Sequence, residues 1–193
     1  MANNITIRNK QTLSDEKYPL TKVSFSREKE KGGTQEKDTL VYDPGDAVTI
    51  LLYNKGLKTV LLTKQFRMPT YLNGNPTGMV LETCAGKIER ESPEEAIKRE
   101  VEEELGYRTG EVQKLFQVYM SPGIMTEIVH FYTAPYEAAD KVSEGGGLEE
   151  EQEDVQTVEL DFDQALSMMH DGRIQDAKTV LLLLYAQVQG YFA

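Results

Sequence analysis

The chain has 193 residues, 39% hydrophobic and 27% charged, with 32 acidic against 21 basic side chains and a net charge of −11. That length suits one domain, or a domain with a small appendage, and the negative balance excludes a general nucleic-acid or anionic-membrane binder while leaving open a phosphate-bearing small molecule met through a cation. A single cysteine, Cys84, excludes an intrachain disulfide, and with two histidines it leaves too few ligands for an ordinary zinc site.

The first ten residues, MANNITIRNK, have no apolar signal core. No apolar run approaches the ~20 residues of a membrane span, so a cytoplasmic location is expected. ITIRNK (5–10), LTKVSFSR (20–27) and DTLVYD (38–43) favour strands, the last two joined by a polar turn at Gly32-Gly33. Three short strands bury little on their own. Residues 1–43 are therefore expected to form a small N-terminal antiparallel β-domain that packs on the rest of the chain or on a second copy. Asp43-Pro44-Gly45 is the expected boundary, with the main domain spanning 44–193.

The main domain opens with DAVTILLYN (46–54) and KTVLLTKQFR (58–67), two strands joined across Lys55-Gly56-Leu57. A polar loop at Tyr71–Gly78 precedes the strand MVLETC (79–84), which feeds a helix ending at Gly106. Strands EVQKLFQVYM (111–120) and EIVHFYTAPY (127–136) follow, separated by the turn Ser121-Pro122-Gly123. An acidic, glycine-rich loop fills 137–154. The strand VQTVEL (155–160) leads into a helix at 162–170, with Asp161 and Gln164 as its capping box, and a last helix runs from near Asp176 to Gly190. Helices flanking a mixed sheet predict an α/β sandwich.

The helix after residue 92 carries the strongest local signal. Ser92 is a natural N-cap, Pro93 takes the first helical position, Glu95 completes a capping box, and Gly106 suits a left-handed C-cap. At 100° per residue, Ile97, Val101 and Leu105 form an apolar stripe. Glu104 falls within that arc and Glu100 beside it, whereas Glu95 and Glu102 point to solvent. Two inward carboxylates at i and i+4 are a reasonable half-shell for a hard cation such as Mg²⁺. Residues 89–104 hold eight glutamates, however, and most acidic runs are solvated faces, so helix geometry alone leaves both readings open.

No P-loop, dinucleotide-binding glycine motif or nucleophile elbow is present, which leaves carboxylate-rich, metal-assisted hydrolysis as the fitting chemistry. The stretch from Glu91 through Arg99-Glu100-Val101-Glu102-Glu103-Glu104-Leu105-Gly106-Tyr107 resembles the box of the Nudix hydrolases, G-x5-E-x7-R-E-(apolar)-x-E-E-x-G-(apolar). Gly86 is followed by four residues before Glu91 rather than five, similar to the shortened box of the GDP-mannose pyrophosphatase branch. KQFR (64–67), NGN (73–75), YMSPG (119–123), TEIVHFY (126–132) and DAKTVLLL (176–183) also resemble that branch and the neighbouring ADP-ribose pyrophosphatases.

The resemblance implies a Nudix α/β/α sandwich with a mixed sheet, whose small N-terminal β-domain is exchanged across a homodimer. It implies a Mg²⁺ site, with Mn²⁺ a possible substitute, built from Glu100, Glu104, the Ala85 carbonyl and Glu153. Glu153, or Glu151, would act as the base; Glu103 and Arg99 would support the acids, though Arg99 could be a purely structural bridge. Arg67, Ala85, Gly86, Lys87, Glu104, Glu127, Gln152 and Lys178 would meet the substrate. That substrate would be a nucleoside-diphosphate sugar: GDP-mannose, cleaved to GMP and mannose 1-phosphate, or ADP-ribose, cleaved to AMP and ribose 5-phosphate. One departure counts against GDP-mannose, because that branch tends to carry basic residues where this chain has Asp38-Thr39-Leu40. A non-catalytic nucleotide-sugar sensor is the alternative of another class. Cys84 and His130 read as packed structural residues, His170 as a helix-end contact, and Tyr18, Tyr42 and Tyr71 as packing or base-stacking residues.

Overall fold

The computed structural model describes residues 4–148, 150 and 152–192. The chain divides into two compact units: one runs up to Asp46 and includes Val118–Ile128, and the other comprises Ala47–Gln117 with the chain from Val129 onward.

The first unit is a three-stranded antiparallel sheet of β1 (Ile5–Ser14), β2 (Leu20–Glu28) and β3 (Thr34–Tyr42), with β2 in the middle. β1 runs four residues past the predicted end at Lys10 because β2 pairs with it over its whole length, through irregularities at Ile7/Asn9 and Thr12/Ser14. Every residue of β1 is exposed, including Ile5, Ile7 and Leu13. The segment 118–128, which the sequence did not assign to this unit, is tied to the end of β3. Tyr42 N–H donates to the Ile124 carbonyl at 2.8 Å, and Thr126 N–H donates back to the Tyr42 carbonyl at 3.1 Å. Tyr18 and Tyr42 pack edge-on, 6.1 Å between centroids.

The second unit is built on β4 (Ala47–Asn54), in which all residues but Tyr53 are buried. Continuous apolar runs of this kind mark a strand covered on both faces. β4 pairs in parallel with β9 (Ile128–Pro135) and antiparallel with β5 (Thr59–Phe66), within the order β10-β5-β4-β9-β8, where β8 is Gln113–Tyr119 and β10 is Gln156–Asp161. Strand residues alternate between faces, and β4 shows which helix covers each. Val48, Ile50 and Leu52 share a core with Ala96, Ile97, Val101 and Leu105 of the box helix. Thr49, on the other face, hydrogen-bonds to Thr83, which in turn meets Thr179 of the C-terminal helix. The layers are therefore helix, mixed sheet, helix.

Two features differ from the sequence reading. The expected strand 79–84 is two strands, β6 (Met79–Glu82) against β5 and β7 (Cys84–Lys87) against β4. The chain changes neighbour at Thr83, whose N–H leaves the ladder for the Thr179 hydroxyl at 2.7 Å. The expected loop at Tyr71–Gly78 is entered through a short helix, α1 (Met68–Leu72), too brief to leave a periodic signature. The later helices are α3 (Phe162–His170) and α4 (Ala177–Val188). Asp161 caps α3 by accepting from Asp163 and Gln164 N–H groups, and Asp176 caps α4.

Candidate active site

The box helix, α2 (Pro93–Glu100), starts as its sequence dictates: Ser92 Oγ accepts from Glu95 N–H, and the Glu95 carboxylate accepts from Ser92 N–H. Its continuation is not α-helical. Val101–Leu105 form a π-turn, closed by Gly106 at φ +75°. Single π-turns recur at functional sites because they re-aim side chains and free carbonyls. Here the freed carbonyls of Glu103 and Glu104 accept from Gly147 and Gly146 N–H, each at 3.0 Å, so the acidic loop is fastened to the end of the box helix.

Glu104 and Glu100 are buried, 2% and 8% exposed, beside fully buried Ile97, Val101 and Leu105. Burial of those three, at roughly 1.5–3 kcal/mol each, offsets the cost of taking the acids out of water. Burial pushes the Glu104 carboxyl up to about 8, against the pull of hydrogen bonds from the Cys84 thiol and Ala85 N–H, with the charges of Glu100 and Glu153 adding to it. Burial pushes Glu100 up to about 7, opposed by the Arg99 charge and reinforced by Glu103 and Glu153. Both groups are thus short of positive charge.

Arg99 gathers the acids of the box. Its Nη1 donates to Glu103 at 2.7 Å and lies 2.9 Å from Glu100 Oε1, while Nη2 reaches Glu91 at 3.0 Å and the Lys87 carbonyl at 3.2 Å. The hydrogen bond from Arg99 holds Glu91 well below the usual carboxylate range. Ala85 N–H donates to Glu104 Oε2 at 3.2 Å. Gly86 leaves the space in which the Glu100 carboxylate sits, since a Cβ there would come within 1.9 Å of it. Two under-neutralised carboxylates, a neighbouring backbone carbonyl at Ala85 and a glycine-made recess form an all-oxygen donor set, which suits a hard divalent cation that keeps part of its water shell.

The structure brings Glu100, Glu103, Glu104, Arg99, Ala85 and Gly86 together and draws in the Lys87 carbonyl. Glu153 lies within electrostatic reach of Glu100 and Glu104 but turns back into its own loop, accepting from Leu148 N–H at 3.2 Å. Among the described residues no group of three His, Cys, Asp or Glu side chains is arranged to hold a metal. Gln152 is exposed at φ +57°, and Glu151 lies outside the described residues. Glu127 belongs to the first unit, half-buried just ahead of β9.

Arg67 and Lys178 converge on a residue that sequence reasoning passed over. Arg67 Nε and Nη2 donate to Glu82 at 2.7 and 3.3 Å, and Lys178 Nζ reaches Glu82 at 3.3 Å and Asp176 at 2.7 Å. The signal for Glu82 was a charged side chain inside an apolar strand, a placement that demands a partner. Arg67, Glu82 and Asp176 line a cleft of about 900 Å³ together with Asn73, Asn75 and Arg173, and Lys178 reaches two of these residues, Glu82 and Asp176.

Comparison with known proteins is decisive at this point, since residues 43–183 match the family described as the NUDIX domain. The chain belongs to the Nudix family. It is 49% identical to the GDP-mannose pyrophosphatase of Pectobacterium atrosepticum over 193 residues, covering 100% of this chain and 99% of that protein. It is 51% identical to the GDP-mannose pyrophosphatase of Yersinia enterocolitica over 180 residues, or 93% of each chain. A crystal structure of an ADP compounds hydrolase superposes with a TM-score of 0.72 at 20% identity over 97% of both chains, and so shares the Nudix fold. Of the four residues between Gly86 and Glu91 in this Nudix box, Lys87 ends β7 and the other three lie in a loop, from which Glu91 still reaches Arg99.

Proposed function

We infer that this Nudix protein is a Mg²⁺-dependent pyrophosphatase that hydrolyses a nucleoside-diphosphate sugar, with GDP-mannose cleaved to GMP and mannose 1-phosphate. The observation that carries this reading is the pair of buried, under-neutralised carboxylates Glu100 and Glu104 beneath Gly86, in a chain about half identical to proteins named for that activity. Glu100, Glu104 and the Ala85 carbonyl would hold the cation, Mg²⁺ or Mn²⁺. When bound, it would lower the pKa of a water and offset charge on the phosphoryl group.

This chain's own residues do the rest. Arg99 keeps Glu100 and Glu103 in place through the contacts above. Glu153 is held near by the glycines fastened to the helix end, and it takes the proton of the attacking water once it turns from Leu148 N–H. Arg67 and Lys178 receive phosphate and sugar oxygens, with Gly86, Lys87 and Gln152 as further contacts. Exposed Ile5, Ile7, Leu13 and Leu40 support a homodimer formed through the N-terminal sheet, and the protein acts in the cytoplasm.

One observation favours ADP-ribose as the alternative substrate. Where basic residues would suit a GDP-sugar, Asp38 stands ion-paired with Lys22 at 2.7 Å, and that hydrogen bond lowers its pKa. A panel assay of GDP-mannose, ADP-ribose and further nucleoside-diphosphate sugars with Mg²⁺ decides the matter. The expected result is monophosphate release with kcat/KM for GDP-mannose at least about tenfold above ADP-ribose, a difference of about 1.4 kcal/mol. A preference for ADP-ribose transfers the assignment to the alternative, and binding without turnover makes the protein a sensor.

A further inference from the structure

We propose that Glu82 is a positioning residue for the reaction: it presets Arg67, on the wall of the 900 Å³ cleft, and Lys178, bonded to the cleft residues Glu82 and Asp176, as a single anion clamp. The proposal rests on the reading of this site as a nucleoside-diphosphate-sugar pyrophosphatase.

The Glu82 side chain is 5% exposed, and the two cations it holds come from opposite ends of the second unit's sequence. A buried carboxylate costs several kcal/mol in desolvation, and replacing such an ion pair with apolar residues is often neutral or stabilising. A strand end such as β6 therefore has no folding need for a glutamate. Glu82 grips Arg67 along one edge, through Nε and Nη2, while the Arg67 side chain as a whole is 42% exposed and lines the cleft. Arg67 consequently meets solvent in a fixed orientation rather than as a free-swinging cation, and a fixed fork is the form that recognises phosphate oxygens in pairs.

Lys178 is fixed in the same way. Asp176 holds its Nζ from one side and Glu82 from the other. Asp176 is itself anchored, accepting from Thr179 N–H at 3.0 Å and the Thr179 hydroxyl at 2.8 Å. Thr179 then accepts from Thr83 N–H at 2.7 Å, one residue beyond Glu82. The clamp and the metal-facing residue Ala85 sit three residues apart on one chain segment, a span of about 10 Å. Thr49 pins that segment from below through Thr83 and the Cys84 carbonyl. Glu82 thereby couples the placement of both cations to the segment that carries Ala85. Preorganisation of this kind acts on the transition state more than on initial attraction, because the two positive charges persist without it.

The test is a double-mutant cycle of Glu82→Gln and Arg67→Ala, assayed on whichever nucleoside-diphosphate sugar the wild type hydrolyses with Mg²⁺. The expected result is a loss of about tenfold or more in kcat for Glu82→Gln with KM changed less than about threefold, and a double variant whose loss is at least about threefold smaller than the product of the two single losses, the remainder being the release of Lys178. A merely structural glutamate costs the same factor in both backgrounds, so additive losses overturn the proposal. Glu82→Gln within about twofold of wild type, or a loss confined to KM, overturns it too. Should the melting curve show that Glu82→Gln does not fold, Glu82→Asp takes its place in the cycle with the same expectation, because the shorter acid keeps the charge and withdraws the grip. A wild type without turnover defeats the functional reading itself, whereas turnover with additive losses defeats the role of Glu82 alone.

Discussion

Replacing Glu104 with glutamine is expected to lower turnover by about 10³-fold or more while stabilising the metal-free protein above neutral pH. The first effect follows from the loss of a charged oxygen that nothing nearby can supply: Glu104 is enclosed by Cys84, Ala85 and the core of Ile97 and Leu105. The second follows from proton linkage. Glu104 and Glu100 hold their protons in the native state up to about pH 8 and 7, whereas the unfolded chain releases them near 4.5. Between those limits the native state binds more protons than the unfolded one, so stability of the metal-free protein falls as pH rises. Each proton is worth about 1.4 kcal/mol per pH unit, and Glu104→Gln removes one of them over an interval from 4.5 to about 8, a gain on the order of 4 kcal/mol at pH 8. Denaturant unfolding in EDTA at pH 5 and 8 measures the slope. A wild type that is more stable at pH 8 than at pH 5, or a Glu104→Gln enzyme with full turnover, contradicts the assignment.

Gly86→Ala tests the other carboxylate through geometry alone. The new Cβ would stand 1.9 Å from both the carboxyl carbon and Oε1 of Glu100. No such contact is tolerated, and the flexible Glu100 side chain must swing away, breaking its approach to Arg99 Nη1 at 2.9 Å. A displacement of about 1 Å in a catalytic group costs on the order of 10²-fold in rate. The expected result is a loss of that size in kcat with a higher Mg²⁺ concentration for half-activation, and an unchanged melting temperature in EDTA. Full activity at the wild-type Mg²⁺ requirement would show that Glu100 has no part in the site.

The parts of this site that were legible in the sequence are those encoded locally. Ser92, Pro93, Glu95 and Gly106 mark the helix ends by their own conformational preferences, and the stripe of Ile97, Val101 and Leu105 fixes which face is buried. Glu100 and Glu104 follow from that face. What could not be read was set by partners distant in sequence. The π-turn over Val101–Leu105 uses no special residue; its freed carbonyls are taken up by Gly146 and Gly147, some forty residues on. The break at Thr83 depends on Thr179 of the last helix. Glu82 stood out only as an acid in an apolar strand, and its meaning needed Arg67 and Lys178, on elements before and after it, to be in place. Residues whose partners lie close by in sequence, Arg99 among them, were visible, and residues whose partners lie far along the chain were not.

On the proposed reading, this acid-lined helix cleaves a diphosphate bond with the help of a divalent cation. Phosphorus NMR of GDP-mannose incubated with the protein, with and without Mg²⁺, tests it most directly. The expected result is that with Mg²⁺ the two diphosphate resonances give way to two equal phosphomonoester resonances, those of GMP and mannose 1-phosphate, and that with EDTA they persist. Diphosphate signals unchanged in Mg²⁺, equal cleavage in EDTA, or release of inorganic phosphate in place of the two monoesters would contradict it.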